Sequence, residues 1–311
     1  MNIRILGTES LGVRGLSCVV EAGSRKIVVD PGLALGYQRH GLLPHPAQVA
    51  VGERVRENIL TELQVATDVV LSHIHGDHVP LADANPYQLN ARRVAPLCKT
   101  VQLWAKGPKG LSDNMLRRKE SLSDVLGRDL PNAEGQEDGP LSFSLAVPHG
   151  EPHSRLGAVM MTRVGSDGQV FVHASDIQLL NSRAVSLILD WQPDIVLVDG
   201  PPLYLKRFMD EKRRRRAWEQ ALRLAQGVNT VILDHHILRC EEGLDWLDRL
   251  SAETGHQVIC AADFMKTTRC LLEAQREELY EEMPVPPDWH EAYAQEETDT
   301  EDYRCYVHVC T

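Results

Sequence analysis

Two features of the sequence predict a layered α/β fold. The first half of the 311-residue chain is rich in short strand-like runs, and the second half alternates helical patterns with strand patterns. Such alternation favours one layered structure over two independent domains. The sequence shows no repeat with a period of about 20–50 residues, so it does not indicate a solenoid. We therefore expect a single domain over residues 1–283, followed by a Pro-rich, acidic tail at 284–311 that lies at the periphery.

The individual elements follow from runs of apolar residues and from the turn residues that end them. A strand at 2–6 leads into a Gly-rich loop at 7–15. Further strands are expected at 16–21, 24–30, 67–72, 100–104, 141–147, 156–164, 169–174, 195–199, 229–233 and 257–261. Helices are expected at 47–66, 112–126, 179–190, 206–226 and 241–253.

The composition is that of an ordinary soluble protein, with 43% apolar and 25% charged residues. A net charge of −11 argues against non-specific nucleic-acid binding, which depends on neutralising phosphates. The sequence contains no run of about 20 apolar residues, which is the length needed to cross a membrane. We therefore expect a cytoplasmic protein without a membrane partner. The seven cysteines include no CxxC pair, which indicates reduced thiols, Cys305 and Cys310 among them.

The segment HIHGDH, at residues 73–78, holds the densest group of ligand-type side chains in the chain. It stands at the end of the predicted buried strand 67–72. Its first two histidines are at positions i and i+2, so on an extended segment they point to the same side. Asp77 and His78 follow a glycine that permits a sharp turn, so they can face a second point in space. This geometry suits a pair of metal ions a few ångströms apart.

The HIHGDH segment resembles the HxHxDH signature of the metallo-β-lactamase superfamily. Further segments are similar to a branch of predicted hydrolases with that fold, in the same order along nearly the whole chain: ESLGVRG, DPG with ALGYQRHGLLPHP, VPHG, SDIQ, VDGPPLYL, LDHHILR and LLEAQREELY. The resemblance implies an αβ/βα sandwich, in which two mixed β-sheets face one another with helices outside. The metals would lie at one edge between the sheets, and residues 79–140 would form an inserted helical and loop region near them.

The resemblance also implies seven side chains that hold two divalent metal ions. Three bind the first ion, three bind the second, and one carboxylate bridges both. In that order they are His73, His75 and His149; Asp77, His78 and His235; and Asp176. Imidazole and carboxylate ligands without a thiolate suit Zn²⁺, with Fe²⁺ or Mn²⁺ as alternatives. Asp30, at the end of strand 24–30, would orient a ligating histidine from behind.

Two ligand positions have a competitor nearby in the sequence. His153 lies four residues after His149, and His236 directly follows His235. We favour His149, because it is nearer to its strand end. We favour His235, because adjacent residues on an extended segment point to opposite sides and only one of them is expected to bind.

The Gly-rich loop 7–15 follows the first strand and in this fold often approaches the site. Its polar residues include Glu9, Ser10 and Arg14. A contact with the site and a purely backbone role in the turn are about equally favoured for them.

The ligand set predicts a hydrolase. A water shared by two cations loses its proton near neutral pH and becomes the nucleophile. Asp77 would orient this water, and His45, His153 and His236 are the candidates for the proton donor to the leaving group. Asp199, at the end of strand 195–199, is a candidate second-layer residue or substrate contact. By the same resemblance, an aspartate at the bridging position implies a phosphodiesterase or a thioester or lactone hydrolase. Among these we favour a phosphoester or another small anionic ester as the substrate.

Two other functions would use the same ligands. An RNA- or DNA-processing nuclease needs an exposed basic channel, for which the run at 212–216 with Lys206 and Arg207 is the local candidate. A non-heme iron enzyme would instead perform redox chemistry. We expect a small-molecule anionic substrate rather than nucleic acid. The oligomeric state stays open, with a homodimer among the options.

Overall fold

The computed structural model describes residues 1–152 and 156–310, and of residues 308 and 309 only the backbone. Two β-sheets face one another across a shared apolar core, and helices cover their outer faces. This is the αβ/βα sandwich that the sequence predicts.

The first sheet lies within residues 1–152 and has five strands, arranged across the sheet in chain order. They are β1 (Asn2–Gly7), β2 (Ser17–Ala22), β3 (Arg25–Val29), β4 (Asp68–Leu71) and β5 (Gln102–Ala105). The first three pair antiparallel, whereas β3, β4 and β5 pair parallel. The parallel pairing of β3 with β4 requires a crossover, which the helix α1 (Pro46–Leu63) supplies. Side chains alternate between the faces, so Val28 packs in the helix-side cluster while Ile27 and Val29 pack between the sheets.

The second sheet, in the described part of the chain, has seven strands. They are β6 (Glu137–Asp138), β7 (Leu141–Phe143), β10 (Thr162–Ser166), β11 (Gln169–Ala174), β12 (Ile195–Val198), β13 (Thr230–Leu233) and β14 (Gln257–Ile259). Their order across the sheet is β14-β13-β12-β11-β10-β7-β6. The strands from β11 to β14 pair parallel and the others antiparallel. A separate pair, β8 (Val147–Pro148) and β9 (Ala158–Val159), flanks the loop that carries His149.

The remaining helices cover the sheets from outside and complete the C-terminal region. They are α2 (Ala91–Val94), α3 (Asp113–Leu126), α4 (Ser182–Asp190), α5 (Glu211–Gly227), α6 (Glu242–Thr254), α7 (Ala261–Met265), α8 (Arg276–Glu282), α9 (Trp289–Ala294) and α10 (Cys305–Cys310). None of the described helices combines the length and the apolar character needed to cross a membrane.

Several element boundaries differ from the prediction for local physical reasons. The helices expected at 179–190 and 206–226 begin later, because Asn181 and Asp210 are their N-caps and accept hydrogen bonds from the backbone of the first turn. The strand expected at 156–164 divides into β9 and β10. Between them the Met160 amide bonds to Ser72 O at 2.8 Å, so the chain leaves the small β8–β9 pair before it joins the second sheet.

The region 79–140, expected as an insertion, also contributes to the sandwich. It supplies β5, the edge strand of the first sheet. Its helix α3 approaches the metal-ligand segment, because Arg118 Nη1 donates to Ile74 O at 2.9 Å.

The C-terminal segment is not peripheral, so that part of the prediction is wrong. Helix α10 packs on α1, and Trp289 of α9 is only 6% exposed within the core on the helix side of the first sheet. Cys310 is disulfide-bonded to Cys270, whereas Cys305 is a free, exposed thiol. The expectation of a free Cys310 is therefore also wrong. The sequence offered no sign of this pair, because 40 residues separate its members and only the fold brings them together.

Candidate metal centre

The predicted ligands lie where strands of both sheets end, at one edge of the sandwich. Residues 73–78 follow β4, His149 follows β8, Asp176 follows β11 and His235 follows β13. Because parallel neighbours in a sheet end at the same edge, the loops after these strands converge there. His153, the competitor of His149, lies outside the described residues.

Three imidazoles surround one oxygen of the Asp176 carboxylate. Oδ2 lies 3.0 Å from His73 Nε2 and 3.1 Å from His75 Nδ1, and it also contacts His149 Nε2. Ligand-type atoms of these four residues all lie within 4.8 Å of one another. The His75 side chain is 24% exposed and the other three are buried. The group is therefore open to solvent on the His75 side.

The other oxygen of Asp176 faces a second group. Oδ1 lies 3.1 Å from His78 Nε2 and 3.4 Å from His235 Nε2, and these two nitrogens are 3.2 Å apart. Asp77 Oδ2 lies 3.6 Å from His235 Nε2. Ligand-type atoms of Asp77, His78 and His235 also lie within 4.8 Å of one another. Asp176 thus stands between two groups of donors, which is the position of a bridging carboxylate.

Hydrogen bonds from behind determine which nitrogen of His73 faces Asp176. Ser72 Oγ donates to Asp30 Oδ2 at 2.6 Å, so it accepts from His73 Nδ1 at 2.9 Å. The proton of the neutral imidazole is then on Nδ1, and the lone pair of Nε2 is directed at Asp176. Within the described residues, neither His73 Nε2 nor Asp176 Oδ1 has a hydrogen-bond partner. Unsatisfied buried groups cost about 1–3 kcal/mol each, and a metal cation would satisfy both, so these residues fit a divalent ion.

The second group is held from behind in the same way. His78 Nδ1 lies 3.2 Å from Asp30 Oδ2, and His235 Nδ1 donates to Glu9 Oε2 at 2.7 Å. In both rings Nε2 is the atom that faces Asp176. Asp30 therefore lies behind one histidine of each group, reaching His73 through the hydroxyl of Ser72. Such outer carboxylates fix the orientation of ligating imidazoles.

The backbone of the centre is strained at three of these residues. Asp30, Asp176 and His235 have positive φ angles of 47°, 55° and 78°. Side-chain-bearing residues adopt such conformations at a cost of about 1–3 kcal/mol each, and they concentrate at functional sites. Gly32 packs so closely that a Cβ atom there would lie 2.3 Å from the main-chain carbon of His78. The turn after β3 thus supports the ligand segment directly.

The ionisation states of the first group suit a metal ion. Burial lowers the pKa of His73 to about 3 and also lowers that of His149, although Asp176 opposes both shifts. Burial raises the pKa of Asp176, but the charges of His78 and His73 outweigh it and hold this pKa well below its usual range. Burial likewise opposes ionisation of Asp30, whose hydrogen bond to His78 nevertheless brings its pKa to about 2. Neutral imidazoles and ionised carboxylates are the forms that bind divalent metals.

The charges at the second group set the direction of its pKa shifts. Burial lowers the pKa of His78, but the carboxylates of Asp176 and Asp77 outweigh it and raise this pKa well above its ordinary value. Burial raises the pKa of Asp77, but His78 and His235 hold it low. A ligating imidazole is neutral, so a cation here would bind the deprotonated form of His78.

Both His235 and its competitor His236 reach the centre. The expectation that they point to opposite sides fails, because His235 has a positive φ and His236 begins a 3₁₀ turn, so the segment is not extended. Their rings are 4.5 Å apart. His236 Nδ1 lies 2.5 Å from Asp199 Oδ2, and its amide donates to Asp199 Oδ1 at 2.6 Å. Burial, with the charge of Asp176, raises the pKa of Asp199, while burial and Arg239 lower that of His236. The two side chains therefore form a buried, hydrogen-bonded acid–base pair.

From the sequence, the role of Glu9 stays open, and neither Arg239 nor Tyr204 stands out. Arg239 is only 4% exposed. Its Nε donates to Glu9 Oε1 at 2.7 Å, its Nη2 to Asp77 Oδ2 at 3.3 Å and its Nη1 to Tyr204 Oη at 3.2 Å. The sequence does place Arg239 four residues after His235. A helical turn there puts both side chains on one side, so this spacing could have indicated that Arg239 lies at the site.

Two other features of the sequence have structural roles. His45 caps α1 and its Nε2 lies 3.0 Å from Met283 O, which removes it from the candidates for the proton donor. Three arginines of the basic run 212–216 are ion-paired with glutamates outside their helix. The pairs are Arg213 and Arg216 with Glu151, and Arg214 with Glu242.

The sequence matches known proteins over almost its whole length. It is 51% identical, over 303 residues, to a UPF0282 protein of Methanosarcina mazei, and the match covers 97% of this chain and 99% of that protein. The chain belongs to the UPF0282 family. A UPF0282 relative in Thermococcus gammatolerans is 34% identical over 295 residues, which cover 90% of this chain and 95% of the relative. No protein-family profile matches the chain.

Solved structures similar to this UPF0282 protein include a metal-dependent hydrolase of the β-lactamase superfamily. That comparison has a TM-score of 0.46 and 15% identity, and it covers 83% of this chain and 95% of the other. A metallo-β-lactamase of Cronobacter sakazakii gives a TM-score of 0.35 at 14% identity, over 91% and 93% of the two chains. The UPF0282 chain has the αβ/βα sandwich of two mixed sheets that the HIHGDH segment led us to expect, with that segment at the sheet edge.

Proposed function

We propose that this protein is a hydrolase that binds two divalent metal ions and cleaves a small anionic ester. One observation carries the proposal: Asp176 stands between two groups of donors whose inner atoms face it. The ligands are His73, His75 and His149 for the first ion, Asp77, His78 and His235 for the second, and Asp176 for both. Zinc is the expected metal, with iron or manganese as alternatives. When bound, the two ions supply an acidic water and withdraw charge from the ester.

Three side chains would handle the protons of the reaction. The oxygen of a water bonds to the carbonyl carbon or phosphorus, and the bond to the leaving oxygen or sulfur breaks. Asp77 orients the water and accepts its proton. His236 donates a proton to the leaving atom through Nε2, because Asp199 already occupies Nδ1. Asp199 then acts as a positioning residue: it holds Nδ1 of the His236 imidazole and returns a proton to that ring.

The exposure of the ligands indicates where a substrate would approach. The side chains of the ligands His75 and Asp77 are 24% and 19% exposed, and that of the proposed proton donor His236 is 11% exposed. The remaining ligands are buried. An ester that enters between them meets both donor groups and the proposed proton donor together. Phosphodiesters, lactones and thioesters fit this description, and we rank a phosphoester first.

Metal analysis of Asp176→Ala tests the proposal. We expect about two metal ions per chain in wild type purified without added metal, and one or none in the variant. Asp248→Ala, which changes an exposed aspartate on α6, is the matched control and should keep both ions. Wild type that binds no metal after reconstitution, or an Asp176 variant with unchanged content, would overturn it. The element found also separates hydrolytic from redox chemistry.

The leaving group tests the role of His236. A 4-nitrophenolate leaving group needs no proton, whereas an alkoxide does. His236→Gln should therefore lower kcat by about 10²–10⁴-fold on alkyl esters and much less on 4-nitrophenyl esters. Asp199→Asn should show the same pattern more weakly, with unchanged metal content. Equal losses on both kinds of ester would remove His236 as the donor.

A further inference from the structure

A second guanidinium, that of Arg39, lies near the metal centre, and among the described residues it has no ion-pair partner. Arg39 is half-buried, and its guanidinium stands over the ring of Tyr204, 4.8 Å from the ring centre. Tyr204 in turn stacks on His236 at 6.4 Å, and the His236 ring is 5.9 Å from that of His149. These contacts lead directly from Arg39 to the side of the centre from which a substrate would approach.

The polar contacts of Arg39 leave most of its donors free. Its Nη2 donates to the main-chain carbonyl of Arg239 at 2.6 Å. Within the described residues it forms no ion pair, and its Nε is buried without a hydrogen-bond partner. Arg239, in contrast, is bonded to the carboxylates of Glu9 and Asp77. A guanidinium that is stacked on an aromatic ring and has no carboxylate partner is arranged to bind an anionic oxygen group.

The loop that carries Arg39 is held in a fixed conformation. Arg39 and Leu42 exchange two backbone hydrogen bonds of 2.9 Å around a tight turn, whose His40 and Gly41 have φ angles of 55° and 78°. The buried side chain of Arg276 donates to Gly36 O at 2.6 Å and to Leu42 O at 3.1 Å, which fixes both ends of the loop. The site is therefore built before a ligand arrives, which lowers the entropy lost on binding.

We propose that Arg39, stacked on Tyr204, binds a carboxylate or phosphate group of the substrate. This group is separate from the ester group that is cleaved. The proposal rests on the proposed function and narrows its substrate class: the ester must carry a second anionic group on the side that reaches Tyr204. The guanidinium would bind this group through two parallel N–H donors. Arg39 is thus a specificity-determining residue, and Arg276 is a positioning residue that holds its loop.

Calorimetric binding to the metal-loaded protein tests the proposal without turnover. Phenylphosphonate and phthalate serve as the phosphate-like and carboxylate probes. We expect Arg39→Gln to weaken binding of the better probe by roughly 10- to 100-fold. Arg39→Lys keeps the charge but loses the planar pair of donors, so its affinity for the probe should lie between those of wild type and Arg39→Gln. Arg249→Gln is the matched control: Arg249 also stacks on an aromatic ring, 4.4 Å from the centre of Trp218, but on the outer helices α5 and α6. It should bind like wild type.

The outcomes separate this proposal from the proposed function. Equal binding of both probes by wild type and Arg39→Gln, at equal metal content and melting temperature, would overturn the anion site. Absence of saturable binding in wild type would do the same. A wild type that binds a probe through Arg39 but cleaves no ester would overturn the proposed function and leave the anion site standing. If the function holds, Arg39→Gln should raise KM for a diacidic ester by a similar factor and leave that for a neutral ester unchanged.

Discussion

Replacing Glu9 with glutamine tests how the candidate centre is held together. Glu9 is 2% exposed and accepts two hydrogen bonds of 2.7 Å, from His235 Nδ1 and Arg239 Nε. Glutamine keeps the shape and removes the charge, so Arg239 retains only Asp77, at 3.3 Å, as a carboxylate partner. Removing one member of a buried ion pair costs about 3–5 kcal/mol. Because the Asp77 contact remains, we expect Glu9→Gln to lower the free energy of unfolding by about 3 kcal/mol.

The same change should weaken metal binding at one of the two positions. His235 loses the carboxylate that fixes its ring, and loss of such an outer partner typically lowers metal affinity about 10–100-fold. In the described part of the chain, Glu9 forms no hydrogen bond with His73, His75 or His149, so the first position should keep its affinity. A metal titration of the variant should therefore show one unchanged and one weakened binding step.

A double variant distinguishes the two effects. Glu9→Gln with Arg239→Met removes both charges, so urea unfolding of the metal-free protein should recover most of the lost free energy. The weakened metal step should persist, because His235 still lacks its carboxylate. The reasoning would be refuted if the free energy of unfolding of Glu9→Gln lay within about 0.5 kcal/mol of the wild-type value, which is the range of neutral surface changes. A double variant that is no more stable than Glu9→Gln would refute it as well.

Three further predictions concern the C-terminal region. Reduction of the Cys270–Cys310 disulfide, which spans 40 residues, should lower the free energy of unfolding by about 4 kcal/mol in urea titrations with and without reductant, and equal midpoints would contradict this. Trp289→Ala should cost about 3–5 kcal/mol by the same assay, whereas a peripheral segment would tolerate it. Burial raises the pKa of Glu273, but Arg14 outweighs it and holds the pKa at about 2 rather than 4.5. The resulting stabilisation, about 3 kcal/mol, is present above pH 4.5 and is lost as the pH falls towards 2, so Glu273→Gln should flatten the acid limb of a pH–stability curve.

The sequence by itself determined the fold class and most of the ligand candidates, because both depend on local patterns. The HIHGDH segment brings four ligand-type side chains together within six residues, wherever the rest of the chain lies. Asp176 and His235 could be singled out because each follows an apolar strand, and the ends of parallel strands meet at one edge. The expectation that His235 and His236 point to opposite sides failed, because backbone conformation at a strand end is not encoded in apolar periodicity.

Only the tertiary structure decided what surrounds the ligands. Glu9 reaches His235 and Arg239 across 226 and 230 residues of sequence, and Arg39 reaches Arg239 across 200. The Cys270–Cys310 pair and the burial of Trp289 likewise arise from packing of the C-terminal segment on α1. Such contacts are formed when separate loops meet at a sheet edge or a helix face. Their partners carry no common spacing or pattern along the chain, so no local reading of the sequence can pair them.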